Sequence, residues 1–187
     1  ENLSGTDLAF GDLHGLGAII TGIRAYNVNE DLRANNARLL QYVEAGGTLI
    51  VQYVRPLNRS GPTGSVFPYG PYPLSNSDEA RITVEESPVE LLEPQHPLFN
   101  QPNKISTADF EGWVQERGLY FMTGWDPHYL PLLSGHDPGE PARRGGMLVA
   151  RFGKGFYVYT GYAWFRQLPA GVPGAYRIFA NMLSLGK

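Results

Sequence analysis

The chain has 187 residues, no cysteine, and 15 Lys and Arg against 18 Asp and Glu, a formal net charge of −3. The missing cysteine excludes a disulfide framework, a thiolate metal site and a cysteine nucleophile, and basic residues scattered among acidic ones leave no footprint for nucleic acid. The length suits one hydrophobic core and scarcely two, and no apolar run reaches the roughly 18 residues that a transmembrane helix needs.

The amino terminus, Glu1-Asn2-Leu3-Ser4-Gly5, carries neither an initiator methionine nor a signal peptide and reads as the cut end of a longer protein. An apolar run over residues 18–23 predicts a buried strand, with Arg24, Tyr26 and Asn27 following at its carboxyl end. Leu39, Leu40 and Val43 are spaced to cover one face of a helix over 35–45, Gly46-Gly47 closes it, and residues 48–54 predict the next strand. This β-α-β order predicts parallel pairing through a right-handed crossover, a Rossmann-like core.

Between residues 55 and 77, Pro, Gly, Ser and Asn replace the buried runs. Val66, Phe67, Tyr69, Tyr72 and Leu74 supply enough apolar surface to fold this stretch over the body as an ordered loop. Pro56, Pro62, Pro68, Pro71 and Pro73 reduce the entropy lost in fixing it. Residues 81–85 alternate like a strand, and Glu85, Glu86, Glu90 and Glu93 read as a solvated face, without the ligand spacing of a calcium loop.

Residues 107–113 predict a short helix or turn with Thr107 as its cap, 119–121 and 130–133 short strands, and 134–146 a connecting loop. Two β-rich runs, 147–152 and 156–160, are joined through Gly153-Lys154-Gly155 and predict an antiparallel hairpin. A closing helix from about Pro173 to before Gly186 is expected to bury Tyr176, Phe179, Ala180 and Leu183. No internal repeat is visible.

Several long phrases go beyond periodicity: Gly22-Ile23-Arg24-Ala25-Tyr26-Asn27, Tyr42-Val43-Glu44-Ala45-Gly46-Gly47-Thr48-Leu49-Ile50-Val51-Gln52-Tyr53, and Gly153-Lys154-Gly155-Phe156-Tyr157-Val158-Tyr159-Thr160-Gly161. Together they resemble the class I glutamine amidotransferase-like superfamily. The stretches from Ala108 to Tyr120 and from Phe165 to Gly174 narrow the resemblance to the noncatalytic domain attached to bacterial LmbE-like, or PIG-L-like, deacetylases. The chain is also similar to trehalose-utilisation-like domains. The resemblance spans Asp12 to Leu185 and implies a single flavodoxin-like, three-layer α/β domain over 1–187, with a mainly parallel sheet and the late hairpin.

Departures from that family limit the chemistry. A working glutamine amidotransferase holds a Cys on a strand-to-helix elbow and a later His. Here the strand at 48–54 runs into Arg55-Pro56, and Gly161-Tyr162-Ala163-Trp164 lacks the His. No His-Pro-Asp-Asp-type motif of the deacetylase itself is present, so any deacetylation belongs to a neighbouring domain.

Arg24, Tyr26 and Asn27 lead as a small-molecule group, because ligands of open α/β sheets bind beyond strand carboxyl ends. Gln52 and Tyr53 end the second strand beside them. The same residues also fit a plainer role, tying down the long loop. Trp164, Arg166 and Gln167 combine a flat apolar surface with directed hydrogen bonds and suit a sugar or another protein domain. Trp113, Glu116 and Arg117 read as a surface helix with an aromatic anchor.

His14, His96, His128 and His136 are dispersed, and Asp126-Pro127-His128 would meet His136-Asp137 only through the fold. Ser60 and Ser134 lie in no Gly-x-Ser-x-Gly elbow, Asp109 and Glu111 do not define a glycosidase pair, and Gly153-Lys154-Gly155 is too short for a P-loop. No catalytic residue, metal or cofactor is assigned.

The resulting expectation is a noncatalytic accessory or ligand-binding domain. Its partners would be a neighbouring enzyme domain in the same polypeptide and a glycan or small polar ligand; the compartment is left open, a periplasmic or secreted bacterial protein being one option. The alternatives are a small hydrolase using Arg24, Tyr26, Asp126, His128, Trp164 and His136, or an independent carbohydrate-binding module.

Overall fold

The computed structural model describes residues 1–58 and 64–187; Ser60 and Pro62, named above, lie outside the described residues. In chain order come α1 (Gly5–Phe10), β1 (Ile19–Ile20), α2 (Ala25–Val28), α3 (Glu30–Ala34), α4 (Asn36–Ala45) and β2 (Thr48–Gln52). The middle of the chain holds β3 (Ser65–Phe67), β4 (Leu74–Asn76), β5 (Arg81–Ile82), β6 (Val89–Leu91), two 3-10 turns (Pro97–Phe99 and Thr107–Phe110), β7 (Gly118–Leu119), β8 (Met122–Trp125), β9 (Tyr129–Pro131) and β10 (Leu133–Gly135). It closes with β11 (Met147–Phe152), β12 (Gly155–Thr160), α5 (Trp164–Gln167) and α6 (Pro173–Ser184).

The largest sheet has the order β1-β2-β12-β11-β9. Only β1 with β2 and β2 with β12 pair in parallel; β12 with β11 and β11 with β9 are antiparallel. The other sheets, β3-β4-β8, β6-β10 and β5-β7, are antiparallel throughout. This overturns the flavodoxin-like expectation of a three-layer domain with a mainly parallel sheet. The physical reason lies between residues 65 and 135. Strands there are two to four residues long and the helical pieces among them are two 3-10 turns of three and four residues, whereas parallel neighbours need a crossover that is usually an α-helix.

Within the large sheet, alternation places Leu49, Val51, Leu148, Ala150, Tyr157 and Tyr159 in one core. Ile50, Met147, Val149 and Val158 lie in another on the opposite face. The sheet is thus covered on both sides, by α1, α3 and α4 with Phe67 and Leu74 on one, and by α6 and the 3-10 turns on the other. Among the described residues, no helix is long and apolar enough to cross a membrane.

Several local expectations shift. The first strand contracts to Ile19–Ile20, because the chain turns at Gly22 into α2. In α4 it is Leu39, Tyr42 and Val43 that are buried, while Leu40 is only partly covered. The stretch read as a loop from 55 to 77 carries the β3-β4 hairpin, with Val66 largely exposed. Likewise, the loop read at 134–146 begins inside β10. Ser106, not Thr107, caps the 3-10 turn before Phe110.

Helix α6 starts at Pro173 but is rotated by one residue from the expected face. Gly174, Ala175, Ile178 and Met182 point inward and Tyr176 is half exposed. Gly174 sets the rotation: a Cβ there would lie 1.9 Å from the Asp109 carbonyl, so only this backbone-to-backbone approach seats the helix.

One buried carboxylate organises the antiparallel half. Asp137 accepts from the Thr83 and Val84 amides at 2.9 Å and from the Ser87 hydroxyl at 3.2 Å, and it pairs with Arg81 at 2.6 Å. Burial alone would raise its pKa, but the Thr83 and Val84 amides, the Ser87 hydroxyl and the Arg81 charge together hold it below the ordinary carboxylate range. A carboxyl lowered in the folded state stabilises fully above its unfolded pKa, ~3.9, and loses that contribution as pH falls through the folded value. Asp137→Asn is therefore expected to destabilise at neutral pH, and its deficit against the wild type to shrink below about pH 4. Urea unfolding across that range reads this directly, and a deficit independent of pH would contradict the assignment.

A candidate binding site at the carboxyl edge of the parallel strands

β1, β2 and β12 end side by side, and the residues just beyond them, Thr21 to Arg24, Tyr53 and Gly161 to Trp164, form one edge of the sheet. The segment 114–120 is laid across that edge. The Ala163 amide donates to the Arg117 carbonyl at 2.8 Å, and the Leu119 amide to the Gly161 carbonyl at 3.0 Å. Gly118 permits this crossing, since a Cβ there would sit 2.2 Å from the Gly161 oxygen.

Four non-glycine residues among those described adopt positive φ: Arg24 (55°), Tyr53 (46°), Gln115 (67°) and Tyr120 (62°). All four meet here. Arg24 Nη2 donates to the Tyr120 hydroxyl at 3.0 Å and its guanidinium lies 5.6 Å from that ring's centroid. The Tyr53 ring meets Tyr120 edge-on at 5.0 Å, and its hydroxyl donates to Glu116 Oε1 at 2.9 Å. Arg166 Nε donates to the same Glu116 oxygen at 2.9 Å, while its Nη1 bonds Gln115 Oε1. Left-handed backbone costs about 1–3 kcal/mol per such residue, and its concentration at one place is the usual mark of a site that requires it. Burial first, then the Glu116 charge, push the Tyr53 phenol's pKa up, so it stays protonated and donates.

The residues expected at a ligand separate into three groups. Arg24 and Asn27 line an open cleft of about 550 Å³, together with Val28, Arg55, Pro56, Leu57 and Asp78. Asn27 also clamps the chain beyond β2, its Nδ2 donating to the Arg55 carbonyl at 2.9 Å and its Oδ1 accepting from the Arg55 amide at 3.0 Å. Tyr53 and Arg166 belong to the network beside the cleft.

Tyr26, Gln52, Trp164 and Gln167 are buried and spent on structure. The Tyr26 hydroxyl donates to Asn36 at 2.7 Å and its ring stacks on Tyr69 at 4.2 Å. Gln52 Nε2 donates to the Thr21 carbonyl at 3.1 Å, tying β2 to β1. Trp164 Nε1 donates to Thr160 Oγ1 at 2.8 Å. Gln167 accepts from the Val114 amide at 2.8 Å and donates to the Val114 and Glu116 carbonyls, holding the crossing segment down.

Other expectations are redistributed. Tyr26 and Trp164 lie in the cores on opposite faces of the sheet, so the six residues of the hydrolase reading do not converge. His128 Nδ1 contacts Asp126 at 2.6 Å and its ring stacks on Tyr72, whereas His136 Nδ1 contacts the Asp137 carbonyl. His96 caps a 3-10 turn, accepting from the Leu98 amide. Among the described residues, no three His, Asp or Glu side chains are grouped so as to hold a metal ion. Residues 113–117 form no surface helix, and Trp113 and Arg117 are both buried.

Sequence reasoning missed Arg55 and Asp78 beside Arg24 in the cleft, Tyr120 as its hydrogen-bond partner, and Gln115 and Glu116 in the adjoining network. Arg55 alone carried a signal, as an arginine directly beyond a strand's carboxyl end; the others arrive from segments distant in sequence.

No family model matches the chain, and no curated protein matches it. Among solved structures it is similar to a cytoplasmic protein from Salmonella typhimurium, with 14% identity over 89% of this chain and 69% of that one and a TM-score of 0.47. It is also similar to a cold-adapted beta-galactosidase from Rahnella sp. R3, with 14% identity over 89% of this chain and 22% of that one and a TM-score of 0.37. Likeness this distant carries no statement about activity.

Proposed function

We propose that this chain is a noncatalytic ligand-binding domain that serves a neighbouring enzyme domain, as its resemblance to deacetylase-attached domains implies. One observation carries the reading. The position directly after β2, where the resembled enzymes keep their nucleophile, is held by Tyr53 in the left-handed conformation, with its ring buried and its hydroxyl committed to Glu116. Arg166 holds the same carboxylate. The edge is thus braced by a closed network, and the open cleft beside it offers guanidinium groups and a polar lining suited to recognition.

The test measures binding and turnover on the same purified chain, with a panel of acidic and neutral sugars, N-acetyl sugar amides and esters. Saturable binding without product formation is expected, and Tyr53→Phe is expected to leave the cleft's affinity within about threefold, because it removes one hydrogen bond of about 1 kcal/mol outside the cleft lining. Turnover that disappears in Tyr53→Phe or Glu116→Gln would overturn the proposal and make the network an active site.

A further inference from the structure

We propose that the cleft between α2 and the chain leaving β2 binds a hydroxylated small molecule through an oxyanion, a carboxylate or a phosphate; this names the ligand class of the binding domain proposed above and rests on that reading. Two exposed arginines, Arg24 and Arg55, line the same cleft. Neither forms an ion pair among the described residues, while Arg33, Arg81, Arg143, Arg166 and Arg177 all do. Guanidinium forks match planar or tetrahedral oxyanions through paired hydrogen bonds, which a point charge does not.

Both arginines stand on fixed backbone. The Arg24 amide donates to the Tyr53 carbonyl at 3.2 Å and its side chain is braced on Tyr120, while Asn27 grips Arg55 on both its amide and its carbonyl. This preorganisation lowers the entropy cost of binding. Sequence distance makes the point sharper: the left-handed turn at Arg24 is what directs one guanidinium toward the exit of a strand that follows almost thirty residues later.

The remaining lining defines the rest of the ligand. Asp78 lines the cleft but pairs with neither arginine. An oxyanion alone would meet repulsion from that carboxylate, so the complementary ligand brings a hydroxyl to donate to it. Val28, 79% exposed, and Leu57, 41% exposed, form an apolar rim that suits the C–H face of a sugar ring. A volume of about 550 Å³ lies within the range of small-molecule clefts. An acidic sugar and a sugar phosphate both meet these demands.

Isothermal titration of the intact chain with glucuronate, glucose 6-phosphate and glucose tests this. At least one of the two anions is expected to bind saturably and at least tenfold more tightly than glucose. The preferred anion identifies the source as a carboxylate or a phosphate. Arg55→Ala is expected to weaken that anion at least tenfold with no change in thermal unfolding, since no bond of its side chain joins it to the described residues. Asp78→Asn is expected to narrow the preference for hydroxylated over simple anions, read by competition with acetate or inorganic phosphate.

Failure of both anions to bind overturns the proposal, as does an Arg55→Ala protein that binds them normally. Glucose binding as tightly as the anions would also overturn the oxyanion assignment while leaving a binding domain in place. Chemical conversion of any of the three would overturn the binding-domain reading itself.

Discussion

Trp164→Ala is expected to lower the stability of the folded chain by about 3–5 kcal/mol, the range for truncating a fully buried large aromatic. Trp164 has no exposed surface. Its ring lies edge-on to Trp113 at 5.2 Å and tilted against Tyr162 and Phe179, and its indole N–H donates to the Thr160 hydroxyl at 2.8 Å. Removal leaves a large cavity under α6 together with a disrupted aromatic cluster. For a domain of this length the melting temperature should fall by roughly 6–20 °C. Trp164→Phe keeps most of the volume and loses the hydrogen bond, so it should cost much less. Denaturant midpoints of the three proteins give the comparison. A Trp164→Ala protein with wild-type stability and weakened sugar binding would instead place the indole at the ligand.

Arg117→Met should be nearly as damaging. The guanidinium is buried, donates through Nε and Nη2 to the Ser87 carbonyl at 3.1 and 2.8 Å, and bonds the Phe110 carbonyl through Nη1. It also lies over the Phe110 and Trp113 rings, at 5.9 and 5.4 Å. Methionine replaces much of the volume but leaves two buried carbonyls without donors, at ~1–3 kcal/mol each, so a loss of about 3 kcal/mol or more is expected. Arg117→Lys should recover only part of it, because one ammonium cannot span both carbonyls as the planar fork does. Equal stability of the lysine variant and the wild type would show that charge alone, not the fork, holds the segment. The same segment carries Glu116 and Tyr120, so its loosening should also weaken whatever the Arg24 cleft binds.

Those two side chains show where reading residues in order stops. Trp164 suggests a ligand platform, and Arg117 suggests a solvated helix face, because aromatic and charged residues near chain turns suit either role. Burial decided between them, and burial depends on which distant segment is laid on top. Here Gly118, in contact with Gly161, draws residues 114–120 across the sheet edge. A glycine between Arg117 and Leu119 is visible in the sequence, but its partner is not.

The local elements were legible where neighbouring residues alone determine the outcome. Gly153-Lys154 between two β-rich runs does turn a hairpin, with Gly153 at φ 58°, and Gly46 does end α4 in a positive-φ conformation. Leu39 and Val43, four apart, do share the buried face of that helix. Pro173 does open α6, where its missing N–H costs nothing. Such features follow from backbone sterics and helical periodicity within a few residues.

The sheet's pairing and the site followed from longer range. β-α-β order at residues 19–52 does pair in parallel and β12 joins β2 in the same sense, yet the other pairings of that sheet and all the smaller sheets are antiparallel, set by the β11-β12 hairpin and by strands of two to four residues that find partners wherever the fold brings them. Arg24, Arg55 and Asp78 share a cleft, and Tyr53, Glu116, Tyr120 and Arg166 share a network, only after three strand ends and one crossing segment have been brought together. The sequence by itself determined the late hairpin, the end of α4, the start of α6 and the absence of cysteine chemistry, since each depends on residue identity or on neighbours in the chain. The tertiary structure alone decided which polar side chains are spent inside the fold and which are left facing solvent, because hydrogen-bond satisfaction is settled by contacts between segments tens of residues apart.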